Sequence, residues 1–335
     1  MRILAGDIGG TKSELALYEG EPGGRWDERA RTWLASAEHR SVPELVRAFL
    51  GPDADRFDAA GFAVAGPVHG GRCRITNLGW ELDERELTRS LGAPVGLMND
   101  FAASALGIGA LAMTDLVVLQ EGEVAGDGPI ALIGAGTGLG HAIAVPTRDG
   151  LRVLPGEGGH SDFAPHDDTE DALWRFMRAQ HGDPVSIERA VSGPGILTLW
   201  KFVVAARLAP EGDETRAETA VDDPAAVITR HALDGSDAAC AKALSMFLSL
   251  YGSEAGNFAL KVLPTGGLYV TGGIAPRIRD RLRNGGEFMR AFLAKDRMGD
   301  TLARVRVSIV LNTHLGLLGA RALAVQALSP VRARA

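Results

Sequence analysis

The chain opens on two short apolar runs, Ile3 to Ala5 and Leu15 to Leu17, which enclose a segment containing Asp7, Gly9, Gly10 and Thr11. Runs of this length read as strands, and the adjacent glycines as the tight turn of a hairpin. The arrangement returns later: Ile130 to Ile133 and Ala142 to Val145 flank Gly134-Ala135-Gly136-Thr137-Gly138-Leu139-Gly140. Two strand–glycine-turn–strand units predict a duplicated fold. A third apolar segment, from Gly267, runs into Gly272-Gly273, and Pro276 suits the first turn of a following helix. Helical spacing appears in Ser41 to Phe49, where Val42, Leu45, Val46 and Phe49 are apolar behind a Ser-Val-Pro start. Ala239 to Val262 reads as a core helix or a helix pair. Val307 to Leu311 reads as a strand, followed by Asn312-Thr313-His314 and a small-residue helix from Leu315 to Leu328. The polar, acidic stretch Pro210 to Pro224 predicts a surface loop or a helix-capping insertion, and the basic tail Ser329 to Ala335 a frayed end.

A chain of 335 residues with 46% hydrophobic and 23% charged residues is long enough for two domains with a substantial core. The net charge of −7 argues against nucleic acid as the main partner. No stretch reaches 18 uncharged apolar residues, so no membrane span is expected. The N-terminus carries charge close to its apolar run and lacks a signal-peptide core, which makes a cytoplasmic location the expectation. Cys73 and Cys240 are too few for a disulfide framework or a cysteine zinc site and are expected as small buried hydrophobes.

The glycines at positions 9 and 10 keep side chains away, so that backbone N–H groups can approach an anion. Asp7, at the end of the first strand, is placed to work near a phosphate-bound metal. Lys12-Ser13 does not make a Walker A loop, because Thr11 rather than glycine precedes Lys12. The second glycine turn is not a dinucleotide fingerprint: counted from Gly134 the sixth position is Leu139, from Gly136 it is His141, and a strand follows. Gly272-Gly273 serves either a nucleotide or a plain strand–helix junction. Asn99-Asp100 ends an apolar run, where a helix cap and a general base are both open readings. Glu157 and His160 lie in a glycine-rich loop, and Glu188 follows in Ser186-Ile187-Glu188-Arg189. A zinc reading of His160 and Asp162 lacks further ligands. Asn77 and Trp80 add an amide and an indole within a loop. Such mixed donors and acceptors, without metal-ligand spacing, suit a sugar, whose hydroxyls each donate and accept.

Together these segments resemble the bacterial ATP-dependent glucokinase family, the group without the cysteine zinc motif, within the sugar kinase, actin and heat-shock ATPase superfamily. The resemblance rests on Gly6-Asp7-Ile8-Gly9-Gly10-Thr11, Thr76-Asn77 with Trp80, Asn99-Asp100-Phe101, Gly134 to Gly140, Pro155-Gly156-Glu157-Gly158-Gly159-His160, Glu188-Arg189 with Ser192-Gly193-Pro194-Gly195, and Gly272-Gly273-Ile274. It implies an α/β, duplicated ribonuclease-H-like fold of two domains with an interdomain cleft: residues 1–108 plus 312–335 as the small domain, 109–311 as the large one. It further implies phosphorylation of D-glucose at its 6-hydroxyl with ATP and Mg²⁺, and a homodimer. Asp100 would be the base. Asn77, Asn99, Glu157, His160 and Glu188 would hold the sugar, while Asp7, Gly9, Gly10, Thr11, Lys12, Gly136, Thr137, Gly138, Gly272 and Gly273 would serve the nucleotide, Asp7 beside the metal. Lys12 replaces the asparagine common at this place and points either to a phosphate or to solvent. A kinase for another hexose and an actin-like nucleotide switch are the competing readings. A sugar-sensing regulator usually adds a DNA-binding segment, which is not expected here.

Overall fold

The computed structural model describes residues 1–51, 56–148, 150–283 and 286–328. They form two compact units, one drawn from Met1–Ala112, Asp149–Leu154 and Asn312–Ala335, the other from Met113–Arg148 and Pro155–Leu311. The first unit thus runs past residue 108. The basic tail from Ser329 lies outside the described residues.

In the first unit β1 (Arg2–Ile8) and β2 (Lys12–Gly20) pair antiparallel, from Arg2 opposite Glu19 to Ile8 opposite Ser13. This is the expected hairpin. β3 (Trp26–Ala35) extends it, while β4 (Ala59–Val64) and β7 (Val95–Asn99) join parallel on the other side of β1. The sheet order is β3-β2-β1-β4-β7. Its interior strand β4 is an unbroken apolar run because helices cover both faces. On one face α1 (Val42–Leu50) and α2 (Glu84–Leu91) bury Val42, Leu45 and Leu87 against Leu4, Leu15 and Phe62. On the other, α3 (Asp100–Gly107) and the last helix, α12 (Leu315–Leu328), pack Ala103, Leu317, Ala320 and Ala324 on Ile3, Ala5, Ala59 and Ala63. The small residues of α12 let its backbone lie directly on β4, where a Cβ at Gly61 would strike the Ala320 carbonyl. β5 (Arg72–Ile75) and β6 (Trp80–Asp83) form a separate ribbon. Trp80 is therefore not a loop indole. It opens β6, and alternation with Leu82 turns both side chains inward.

The second unit repeats the plan. β9 (Ile130–Ala135) and β10 (Leu139–Thr147) form the antiparallel hairpin, and β12 (Leu268–Thr271) and β13 (Val307–Val310) follow β9 in parallel. With β8 (Leu116–Gln120) this unit's strands run in the order β10-β9-β12-β13-β8, and β11 (Gly150–Gly156) carries the chain from the first unit's Leu154 into the second at Pro155. A hairpin flanked by two parallel strands thus occurs twice, which is the duplication read from the two glycine turns.

The remaining helices among the described residues are α4 (Asp168–His181), α5 (Gly193–Ala205), α6 (Asp213–Thr219), α7 (Pro224–Asp234), α8 (Ala238–Val262), α9 (Arg279–Arg283), α10 (Glu287–Leu293) and α11 (Gly299–Ala303). α8 is one continuous helix, with Phe247 and Tyr251 fully buried and the Tyr251 hydroxyl accepting the Ala135 N–H at 3.2 Å. The acidic stretch expected as a loop folds in part as α6. Its Thr215 hydroxyl donates to Asp237, just ahead of α8, at 2.7 Å. Pro276 does not open a helix either. The chain leaves β12 through Gly272 at φ 89° and turns until Ile278, where the Arg277 and Ile278 N–H groups both bond the Ile274 carbonyl, so that α9 starts only at Arg279. No helix among the described residues is long and apolar enough to cross a membrane, and both cysteines are buried and unpaired.

Candidate active site

The first unit gathers its functional side chains around the first glycine turn. The Gly9 N–H bonds the Lys12 carbonyl at 3.1 Å, closing the turn and leaving Thr11 and Lys12 exposed. Ser36 braces it from below: its hydroxyl donates to the Gly9 carbonyl at 2.7 Å and its N–H to the Thr11 carbonyl at 3.0 Å. Asn77 lies against Gly10, where a Cβ would come within 3.3 Å of its side chain. Asp7 sits opposite Glu14 in the β1–β2 register. Burial first, then the charges of Asp100 and Glu14, push the Asp7 carboxyl up to about 7. Glu14 is buried and bonded to His314, whose Nδ1 lies 2.8 and 3.0 Å from the two carboxylate oxygens. Two residues on, Gly316 leaves room for Asp7, since a Cβ there would stand 2.5 Å from Oδ2.

Of the two open readings at Asn99-Asp100, the helix cap is seen, and it falls to Asn99. Asn99 caps α3: its Oδ1 accepts from Phe101 at 3.0 Å and Ala102 at 3.1 Å. Its Nδ2 donates to the Gly66 carbonyl at 3.2 Å and to Asp100 Oδ1 at 2.9 Å. Asp100 also accepts the Phe101 N–H at 2.7 Å. The carboxylate is therefore oriented by its own helix start.

In the second unit the second glycine turn is braced in the same manner. Gly136 N–H bonds the Gly138 carbonyl at 2.8 Å, and Gly193 N–H bonds the Gly136 carbonyl at 2.7 Å, with Thr137 exposed at the tip. Glu188, in the helical turn Ile187–Arg189, accepts the Leu139 N–H at 2.8 Å. Glu157 and His160 are exposed on the loop leaving β11. The loop's glycines pack on β10: a Cβ at Gly159 would strike the Leu139 carbonyl, and one at Gly158 the ring of His141. His141 is buried and stacked on Phe258, with centroids 4.5 Å apart and planes at 5°. Burial, aided by Lys261, lowers its pKa to about 4, and burial raises that of Glu254, whose Oε1 stands 3.8 Å from His141 Nε2.

Beside the second turn a cavity of about 920 Å³ is lined by Gly136, Thr137 and Gly273, by Pro194, Leu197, Ala225 and Ile274, and by Asp223, Arg230 and Arg277. An apolar slot with charged groups at its rim is the usual form of a pocket for a heteroaromatic ligand. Gly272 does not line it but packs on the Ala135 backbone, where a side chain has no room. Sequence reasoning missed Glu14, Ser36, His141, Glu254 and Arg230. The first four are placed by partners distant in the chain and Arg230 by the cavity it lines, and only Glu14, an acid inside an apolar strand, left a local trace.

A divalent ion fits the first unit in one way. Asp7 carries a burial cost and two like charges that a cation would relieve, and Gly316 leaves its Oδ2 without side-chain cover. Among the described residues no group of three His, Cys, Asp or Glu could hold a metal. A single carboxylate suits Mg²⁺, which keeps water and substrate phosphates as its other ligands.

Known proteins resemble this chain along nearly its whole length. The model of the family described as "Glucokinase" matches residues 4–327. A glucokinase from Nostoc sp. is 40% identical over 334 residues, covering 95% of this chain and 97% of the relative. Another, from Synechocystis sp., is 40% identical over 354 residues, covering 97% and 98%. Among solved structures, a glucokinase from an Antarctic psychrotroph superposes with a TM-score of 0.84 at 32% identity, covering 96% of this chain and 98% of the other. A ROK family glucokinase from Streptomyces griseus, in complex with glucose and AMPPNP, shares the fold with a TM-score of 0.64 at 21% identity, covering 97% and 100%.

Proposed function

The chain belongs to the glucokinase family, and on that premise we propose the route by which it phosphorylates glucose. ATP is the phosphoryl donor. Its base enters the cavity between Leu197 and Ile274, with Gly273 at its edge. Its phosphates are taken by the backbone N–H groups of Gly10, Thr11, Thr137 and Gly138 at the two turns, which the Gly9 and Gly136 N–H groups close, with Lys12 as a further contact. Asp7 would hold Mg²⁺, which would supply positive charge against that of the phosphates.

Asp100 accepts the proton of the glucose 6-hydroxyl as its oxygen bonds the γ-phosphorus and the bond to ADP breaks. The transition state is loose, so the transfer comes late and asks for orientation rather than for an unusual pKa. Asn77, Glu157, His160 and Glu188 hold the ring hydroxyls. Asn99 serves by orienting Asp100, and the sugar contact expected of it competes with its bonds to Gly66 and Asp100. The observation that carries this reading is Asp100, a carboxylate oriented by its helix start and close enough to Asp7 to raise that group's pKa.

Steady-state ADP release across a panel of hexoses tests it. Turnover that requires glucose, and prefers it to mannose, fructose and N-acetylglucosamine, is expected. Sugar-independent turnover would instead mark a nucleotide switch. A homodimer in the cytoplasm belongs to the same reading, and sedimentation equilibrium tests the dimer.

A further inference from the structure

Glu188 occupies a junction in the second unit. Its Oε2 accepts the N–H of Leu139, the residue that leads the Gly136-Thr137-Gly138 turn into β10, at 2.8 Å. A Cβ on Gly138 would overlap that same oxygen, so nothing separates turn and carboxylate. The Glu188 carbonyl accepts the Ser192 hydroxyl at 2.8 Å, and the Gly193 N–H returns to the Gly136 carbonyl at 2.7 Å. The circuit is closed: carboxylate to turn, turn to helix start, helix start back to the residue that carries the carboxylate. Neither can shift without the other.

We propose that Glu188 couples the two ligands, so that glucose held by this carboxylate strengthens ATP binding at the Gly136–Gly138 turn, and ATP strengthens glucose. The proposal rests on the assignment of Glu188 to glucose and of the turn to phosphate. Two physical effects act in the same direction. A carboxylate aimed at a turn that receives phosphate anions is a like-charge cost, and a sugar hydroxyl donating to it disperses that charge. Phosphates ordering the turn also fix the Leu139 N–H, and with it the carboxylate, in the position a hydroxyl meets. Linkage makes the factor equal in both directions.

Calorimetry of glucose binding, with and without saturating AMPPNP and Mg²⁺, measures that factor. In the wild type we expect the nucleotide to tighten glucose at least about fivefold, the lower end of ordinary coupling. Gly138 lies outside the positive-φ glycines, so alanine there is compatible with the backbone, and the nearest atoms its methyl would meet all belong to Glu188. Gly138→Ala should weaken glucose severalfold without nucleotide and bring the coupling factor close to one. Glu188→Ala serves as reference. Unchanged glucose affinity in Glu188→Ala would remove this residue from the sugar site, and the coupling with it. Weakened glucose in Glu188→Ala beside a wild-type factor in Gly138→Ala, or a wild-type factor near one, overturns the coupling and leaves the sugar assignment standing. Should Gly138→Ala fail to fold, Glu188→Asp replaces it. Its shorter side chain keeps a carboxylate for sugar but cannot also reach Leu139, and the same loss of coupling is expected.

Discussion

Asp100→Asn separates chemistry from architecture at one atom. Asp100 Oδ1 accepts two bonds, from Phe101 N–H at 2.7 Å and from the Asn99 amide at 2.9 Å. An asparagine amide oxygen can accept both, so α3 keeps its start. Losing a negative charge at a helix N-terminus costs about 0.3–1 kcal/mol. Against this, the variant removes a like charge that presses on Asp7. Net stability should therefore change by less than about 1 kcal/mol, a melting shift of no more than about 3 °C. Catalysis has no such compensation, because an amide cannot take the hydroxyl proton. kcat should fall at least about 100-fold, the lower end for general acid–base catalysis, while the KM for glucose moves little. Coupled-enzyme kinetics beside thermal melts check both halves. A folded variant with near wild-type kcat would remove Asp100 from the base role, and a large loss of stability would show that the carboxylate charge itself holds α3.

Other expectations follow from single contacts. Glu157→Gln or His160→Ala should raise the KM for glucose strongly with less effect on kcat, and steady-state kinetics would expose a wrong sugar assignment if KM stayed put. Gly158→Ala drives a methyl into the His141 ring, which Phe258 backs; an overpacking cost of about 1–3 kcal/mol should appear as roughly a tenfold rise in glucose KM, relieved in part by adding His141→Ala. Gly316→Ala crowds Asp7 Oδ2, so half-maximal activity should need more Mg²⁺ in a metal titration. His141 titrates near 4 in the folded protein against 6.5 ordinarily, so between these values the unfolded chain binds a proton that the folded chain refuses. Stability is then lost as pH falls from about 6.5 towards 4, by up to about 3 kcal/mol from this group. Denaturant titrations across that window should show His141→Phe gaining on the wild type, and parallel curves would refute the assignment of acid sensitivity to this ring.

What could be read in the chain was what is local. The two glycine hairpins, the Ser41 cap of α1 and the span of α12 follow from neighbours a few residues apart. The helix cap at Asn99-Asp100 was also visible there, and the structure gives it to Asn99. Features set by distant partners were not. His141 gains meaning from Gly158 and Phe258, Glu14 from His314, and Ser36 from Gly9. Thr215, inside a polar stretch that looks like a loop, is buried because Asp237 receives its hydroxyl. Pro276 misled in the opposite sense. Its fixed φ suits a first helical turn, but the carbonyl of Ile274 had already committed the N–H groups around it to tight turns.

The place of α12 in the chain has a consequence for biosynthesis. This helix comes from the last described residues, yet it covers Ile3, Ala5, Ala59 and Ala63 on the first unit's sheet. A ribosome makes those strands first and the helix that covers them last, with the whole of the second unit emerging in between. Domains tend to fold as they are completed. The second unit, whose long stretch runs uninterrupted from Pro155 to Leu311, can therefore close while the alanine-rich face of β1 and β4 still waits. That face is the apolar surface a nascent chain would show to chaperones. Without α12 that face would keep only α3 as cover, and Gly61 would lack the backbone it lies against.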